Sequence, residues 1–140
     1  MSEVKVDNLT GKTSAGDITV TSEGGAATMQ LQQGLAKAWI HFDAHGDAAV
    51  SGTPISRDSL NVSTIGDDGN GDYTVNFASN FANGYYATSG TGDHAQYCFV
   101  VDPSIDPTSS AFAMMFSYPP SATSDIDVDN VSTIHMGDLA

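Results

Sequence analysis

Apolar and polar residues alternate along most of the chain, which is the pattern of β-strands with one buried face. In the run YTVNF, Tyr73, Val75 and Phe77 would share one face, and the polar residues between them the other. The turn before this run, GDDGNGD at 66–72, holds Asp-Gly and Asn-Gly pairs that favour hairpins. Residues 59–78 are therefore predicted to form a β-hairpin with one apolar face.

Further strands are predicted at regular spacing, with loops rich in Gly, Asp, Pro and Ser between them. They cover residues 83–89, 95–102 and 111–118, and a last strand lies in DIDVDNVSTIHM at 125–136. The unbroken apolar runs YCFVV and FAMMF indicate strands covered on both faces, as inside a sandwich or at a subunit contact. Many short strands predict an all-β protein: an antiparallel β-sandwich, jelly-roll-like, with an extended N-terminal β arm.

The first 30 residues differ from the rest of the chain, because they contain few apolar side chains that could form a hydrophobic core. It offers two short strands, 3–8 and 17–21, and then a stretch, 29–38, that favours one helical turn. Two strands alone are marginal in water, so this region is expected to pair with something else. We therefore predict an N-terminal arm (1–35) for oligomerisation and attachment, followed by a β-sandwich domain (36–140).

Charge is distributed unevenly: four residues are basic and 17 are acidic, for a formal net charge of −13. All four basic residues lie within the first 57 residues, whereas the last 83 carry 11 Asp and no Lys or Arg. Such a surface repels phosphate, which argues against nucleic acid as a partner. No apolar run approaches the ~20 residues that span a bilayer, so no membrane insertion is expected. The acidity is compatible with ordinary solubility. It is also compatible with a function in ion-rich water outside cells, where dissolved ions screen the repulsion between the carboxylates.

The residue types that most often carry catalysis do not form a motif in this sequence. His41, His45, His94 and His135 are scattered, and there is no HExxH, no GxSxG and no glycine-rich phosphate loop. The single cysteine, Cys98, lies in a predicted strand, where a small buried side chain is expected. We therefore expect a protein that is not an enzyme and that uses no cofactor.

One acidic segment resembles the start of a calcium loop without completing it. An EF-hand loop that begins at DIDVDN requires Gly and Glu where this chain has Asn130 and Met136. Alternation along a strand would place Asp125, Asp127 and Asp129 on one face. A solvated acidic face is the leading interpretation, and a weak cation site at these three carboxylates is the alternative.

The doublet Tyr85–Tyr86 also has two interpretations. With the loop around His94, aromatic rings and nearby carboxylates could form a surface that contacts carbohydrate. Opposite faces of one strand explain the doublet more simply, with one tyrosine in the core and the other at the surface.

Two stretches together resemble a family of bacteriophage structural proteins. They are LQQGLAKAWIHFD (31–43) and RDSLNVSTIGDDGNGDYTVNFASNFANGYY (57–86), which contain the family pattern GLxKAW…DYTVNF. Members of this family occur in phages of marine and cyanobacterial hosts and are usually described as tail-fibre or other virion proteins. The similarity covers about residues 27–90, and the segment 43–56 is longer and more polar than the family pattern implies.

The resemblance implies a homotrimer in which the arm wraps around neighbouring copies. LQQGLAKA would then lie near the threefold axis, and Trp39 would be buried between the sandwich and a neighbour. The expected interface residues are Leu31, Leu35, Ala38 and Trp39.

The resemblance also implies a virion protein at the particle surface, and the leading hypothesis is a non-enzymatic tail-fibre or fibre-tip subunit that contributes to host attachment. Its partners would be its own copies, other virion proteins and a glycan or protein on the host. The loops 43–56, 66–72 and 90–94 are the expected receptor contacts, because turn residues can vary without disturbing a core. The candidate residues in or near these loops are Asp43, His45, Asp47, Asp68, Asn70, Tyr86 and His94. A trimeric capsid decoration protein, as a cement or head fibre, is the alternative, and a sugar-cleaving depolymerase is a third class.

Overall fold

The structure is a computed structural model, and it describes residues 3–12, 18–22, 24–25, 27–45, 54–94, 96, 98–102, 105–117 and 126–140. Ten β-strands and no helix occur in these residues. Within the same residues there is accordingly no helix with the length and apolar character needed to cross a membrane.

The chain divides into two compact units, Met1–Leu35 and Ala36–Ala140. The strands of the first unit, β1 (Thr19–Thr21) and β2 (Thr28–Gln30), form an antiparallel two-stranded sheet. The eight strands described in the second unit are β3 (Ala38–Asp43), β4 (Ile55–Leu60), β5 (Val62–Gly69), β6 (Asp72–Phe77), β7 (Ala87–Gly92), β8 (Cys98–Val101), β9 (Ala111–Ser117) and β10 (Val131–Met136).

These eight strands form two antiparallel sheets of four strands each. Sheet I has the order β4-β3-β10-β7, and sheet II has the order β5-β6-β9-β8. Side chains alternate between buried and more exposed positions along β3 and β6, and the buried sets of both sheets belong to one core. The rings of Phe42 on β3 and Tyr73 on β6 meet edge to face at 5.5 Å across this core. The predicted antiparallel β-sandwich is therefore confirmed.

The hairpin of β5 and β6 forms around the Asn-Gly turn, as the sequence indicates. It is shorter than the predicted 59–78, because the chain changes sheets at Asn61, which has a φ of +56°. Leu60 ends β4 in sheet I, and Val62 begins β5 in sheet II. The short alternating run SLNVS therefore belongs to two strands rather than one.

The two unbroken apolar runs have different surroundings. Residues 112–116 of β9 are all buried, and β9 lies between β6 and β8 in sheet II. β8 is at the edge of that sheet, where Val100 and Val101 are each 38% exposed and Cys98 is exposed as well. Double coverage is thus right for FAMMF and wrong for YCFVV in the single chain, and the expected burial of Cys98 is wrong for the same reason.

In the first unit, residues 3–8 form no strand, which corrects the prediction for that stretch. The one helical turn predicted within 29–38 corresponds to a turn directly after β2, in which the Gly34 N–H donates to the Gln30 carbonyl at 3.3 Å. No described residue of this unit is buried. The unit therefore has no core of its own among these residues.

The strand register defines two ends of the sandwich. Val131, the first residue of β10, pairs with the ends of β3 and β7, whereas Met136 pairs with the start of β7. We call the end that contains residues 43–45, 69–72, 93–94 and 126–130 the loop end. The opposite end, with residues 77–86 and 136–140, is the base end.

Candidate functional site

Residues 126–130, which precede β10, connect the loops of both sheets at the loop end. Asp127 accepts two hydrogen bonds on the same oxygen, from the Gly71 N–H and from the Tyr73 hydroxyl, each at 2.7 Å. Val128 is 2% exposed and belongs to the core. This segment, which we call the connecting segment, is thus tied to the β5–β6 turn on one side and to the core beneath it.

The fit between the turn and the connecting segment explains the glycine at position 71. Gly71 has a φ of +75°, and a Cβ there would lie 2.7 Å from the backbone N and O of Ile126. Only a residue without a side chain can take this backbone conformation at this distance. The Asn-Gly turn is therefore required both for the hairpin and for the approach of the connecting segment.

Tyr73 is a hydrogen-bond donor at any ordinary pH. Burial, together with the hydrogen bond to Asp127 and the negative charge of that residue, raises the pKa of the Tyr73 hydroxyl far above its usual value. A charged acceptor with a neutral donor makes a strong hydrogen bond. Asp127 is therefore an anchor of the loop end.

The second half of the connecting segment contacts the loops of sheet I. Asp129 pairs with His45 at 3.0 Å, and both side chains are exposed. The Asn130 amide donates to Asp93 at 2.6 Å, and this hydrogen bond lowers the pKa of the Asp93 carboxyl. The loops after β3 and β7 are therefore held next to each other by polar side chains.

Asp43 adds a further link at the end of β3. It pairs with Arg57 of β4 at 2.7 Å and accepts a hydrogen bond from the His45 N–H at 3.2 Å. The site as a whole is a polar surface in which described loop residues of both sheets are fixed by directional contacts, and it fits a binding role.

Most of the predicted receptor-contact residues lie at this end of the sandwich. Asp43 ends β3 and His45 follows it, Asn70 is in the β5–β6 turn, and His94 follows β7. Asp68 lies just before the turn and accepts a hydrogen bond from the Thr74 hydroxyl at 2.5 Å. The remaining two candidates are Asp47, which lies outside the described residues, and Tyr86.

Tyr86 lies apart from the other candidates, at the base end, where it is half-buried and packs against the core. Its ring stacks on Phe81 at 4.4 Å, and its hydroxyl donates to the Ala111 carbonyl at 3.0 Å. Burial raises the pKa of Tyr86 to about 12. The neighbouring Tyr85 is 96% exposed, so one tyrosine of the doublet packs against the core and the other lies at the surface. The doublet precedes β7, so the predicted reason, opposite faces of one strand, is wrong.

The acidic candidates for a cation site are not arranged on a strand face. Residues 126–130 form no strand, so Asp127 and Asp129 are directed by their own hydrogen-bond and ion-pair partners. Asp125 lies outside the described residues. Within the described part of the chain, no group of three His, Cys, Asp or Glu side chains could hold a metal ion.

The predicted interface residues divide between the two units. Leu31 is half-buried and Leu35 is 53% exposed in the first unit. Ala38 is fully buried in the core of its own sandwich, so it cannot contact a neighbour, and this part of the prediction is wrong. Trp39, the next residue on β3, points the other way and is half-buried on the outer face of sheet I.

Comparisons of the chain with protein-family models, curated proteins and solved structures found no match. Function is therefore inferred from the residues and from the geometry of the loop end.

Proposed function

We propose that the chain is a non-enzymatic bacteriophage virion structural protein, a tail-fibre or fibre-tip subunit whose loop end contacts the host surface. The observation that carries this proposal is that the connecting segment holds loops of both sheets together at one end of the sandwich. Asp127 joins it to the β5–β6 turn, and Asp129 and Asn130 join it to the loops after β3 and β7. Binding sites are commonly built from loops on a rigid scaffold in this way.

The charge of the sandwich restricts the receptor that this end would bind. The last 83 residues have 11 Asp and no basic residue, so phosphate-rich surfaces are repelled. Hydroxyl groups of a glycan or a protein, or a contact bridged by a cation, suit the carboxylates and amides of the loop end. A host-surface glycan or protein is therefore the proposed receptor class.

The proposal includes self-association and binding to other virion proteins through the N-terminal unit. A two-stranded sheet is marginally stable alone, and no described residue of this unit is buried in the single chain. The unit therefore needs a partner surface, and a homotrimer anchored in the particle would supply one.

The location of the chain on the particle is the first test. Antibodies against the purified protein would be used to label intact phage particles for electron microscopy. Label on the fibre or its tip supports the proposal. Label over the head supports the capsid decoration alternative instead, and particles without label contradict both.

The second test compares the two ends of the sandwich during attachment. Phage carrying Asn70→Ala with His94→Ala would be compared with phage carrying Tyr85→Ala, a variant at the base end. The loop-end pair should lower the adsorption rate by about tenfold, the effect of losing about 1.4 kcal/mol of binding. Tyr85→Ala should leave the rate unchanged. The reverse result would place the receptor contact at the base end and contradict the proposal.

A further inference from the structure

The outer face of sheet I carries a row of apolar side chains that are partly exposed. Trp39 on β3 pairs in register with Leu60 on β4 and Ile134 on β10. Leu60 is 47% exposed, Ile134 is 41% exposed, and Trp39 is half-buried. Met136 follows on the same face and is 37% exposed. We call these four residues the Trp39 row.

The corresponding face of sheet II shows that such a row is not a general property of this sandwich. Thr64 pairs with Asn76, and Gly66 pairs with Thr74, across the strands of the β5–β6 hairpin. These outward positions are polar or lack a side chain. On β9 and β8 the same outer face carries Ala113, Met115 and Val100, of which Val100 alone is more than a third exposed. Contiguous exposed apolar side chains with a polar surround commonly mark an interaction surface, and among the described residues sheet I presents the larger such group.

The first unit also presents exposed apolar side chains. Val20 on β1 and Met29 on β2 are cross-strand partners, 41% and 54% exposed. Upstream of them, Val4 is 83% exposed and Val6 is 59% exposed. A two-stranded sheet gains stability when another layer packs against its apolar face.

We propose that the first unit of one copy packs its Val20 and Met29 face on the Trp39 row of a second copy. This inference rests on the proposed self-association and is independent of where the protein lies in the particle. It assigns the sole tryptophan of the chain to the interface between copies.

Charge favours this occupant over a second sandwich. Residues 36–140 hold 13 acidic residues and two basic ones, so two sandwiches placed face to face would repel each other strongly. The first 35 residues hold only four acidic residues. Two basic residues, Lys5 and Lys12, lie in the same stretch. The first unit is therefore the part of a second copy that approaches an acidic sandwich at the lowest electrostatic cost.

The contact joins two different surfaces, so it is a heterologous contact. Repetition of such a contact closes into a ring when the rotation between copies allows it. Closure after three copies gives the proposed homotrimer. In that ring the first unit of each copy covers the Trp39 row of one neighbour, and its own Trp39 row is covered by the first unit of the other neighbour.

The first experiment measures association of the full chain in solution. Val20→Thr with Met29→Gln alters the first unit, Ile134→Thr alters the Trp39 row, and Val100→Thr, on the edge strand of sheet II, is the matched control. All of these positions are exposed in the single chain, so the sandwich should stay folded in each variant.

Light scattering would give the mass, and Trp39 fluorescence would report on its surroundings. Wild type and the control should share a multiple of the chain mass, and both test variants should shift towards the single-chain mass with red-shifted emission. A monomeric wild type overturns the proposed self-association as well as this inference. An associated wild type whose test variants keep their mass and emission overturns this inference alone.

The second experiment identifies the contact directly. Two full chains, one with Met29→Cys and one with Ile134→Cys, would be co-expressed, each also carrying Cys98→Ser. Mild oxidation should give a disulfide between the two different chains, detected by mass spectrometry. Disulfides only between two Ile134→Cys chains would show face-to-face sandwiches, and an absence of disulfides would show that the surfaces do not meet. Either result overturns the inference.

Discussion

At the base end of the sandwich, the ring centroids of Phe77, Phe81 and Tyr86 lie between 4.4 and 5.7 Å from one another. At the loop end, the closest contacts are instead hydrogen bonds to carboxylates, such as those of Asp127 and Asp93. Both ends close the same core. The difference is that one end is closed by apolar rings and the other by directional polar contacts.

The contacts at the two ends therefore make different contributions. Those at the base end mainly stabilise the fold, and those at the loop end mainly position the loops. Burial of aromatic rings contributes a large and non-directional stabilisation, and paired rings add to it. A hydrogen bond contributes only about 0.5–1.5 kcal/mol net, but it holds two groups at a fixed distance and angle. We therefore expect substitutions at the base end to change mainly the free energy of unfolding, and substitutions at the loop end to change mainly loop geometry.

The largest effect is expected for Phe81→Ala at the base end. Phe81 is 1% exposed, and its removal should lower the free energy of unfolding by about 3–5 kcal/mol. Urea unfolding measures this, with Tyr85→Ala as the exposed control that should change little. A loss below about 1 kcal/mol for Phe81→Ala would mean that the aromatic cluster does not stabilise this end.

A pH effect of about 2 kcal/mol is expected from His135, whose ring packs against Phe77 and Tyr86 of the base end. Its ring is fully buried, with Thr88 at 3.0 Å from Nδ1 and Thr133 at 3.1 Å from Nε2. Burial lowers the pKa of His135 to about 4 in the folded chain, from the ordinary histidine pKa of about 6.5. Below pH 6.5 the unfolded chain therefore binds more protons, so stability falls as the pH decreases towards 4.

Urea unfolding at pH 7.5 and pH 5 should differ by about 2 kcal/mol through this residue. His135→Gln should remove most of the difference, although it also lowers stability at both pH values. His45→Gln, at the exposed loop end, should keep the difference. An unchanged pH dependence in the His135 variant would contradict the assignment.

Tyr73→Phe tests the anchor of the loop end. It removes one of the two hydrogen bonds to Asp127 and should cost about 1.5 kcal/mol, since the acceptor is charged. The backbone amides of residues 126–130 should exchange with solvent faster than in wild type, whereas amides at the base end should not. Equal exchange at both ends would show that Asp127 does not position the connecting segment.

The smallest effect is expected for the exposed pair of His45 and Asp129. Asp129→Asn should change the free energy of unfolding by less than about 0.5 kcal/mol, because exposed ion pairs contribute little. Asp127→Asn is the matched comparison in the same segment and should cost more. An equal cost for both would remove the distinction between anchoring and surface contacts at this end.

Local patterns predicted those parts of the fold that depend on neighbouring residues. The alternation in YTVNF gave the buried face of β6, and the Asn-Gly pair gave the β5–β6 turn. The candidate loops were likewise recognisable from their turn residues. Alternation did not show that β4 and β5 belong to different sheets, because Leu60 and Val62 keep the period of two across the change at Asn61.

The assignment of single residues to a surface failed where it depended on contacts distant in the sequence. Tyr86 and Ala38 were expected in contacts with other molecules, yet Ala38 is buried in the core and Tyr86 is half-buried against it. Cys98 was expected inside and is exposed at the edge strand β8. The order of strands in a sheet decides these outcomes, and no local signal carries that order.

Composition and alternation by themselves determined an all-β sandwich with an acidic surface, because burial of every second side chain follows from strand geometry. Only the tertiary structure decided that Asp127, 54 residues after Tyr73 in sequence, would receive its hydroxyl hydrogen bond. It likewise decided that Trp39 lies in one row with Leu60 and Ile134. Both depend on which strands become neighbours, and that choice is made by the packing of the whole core.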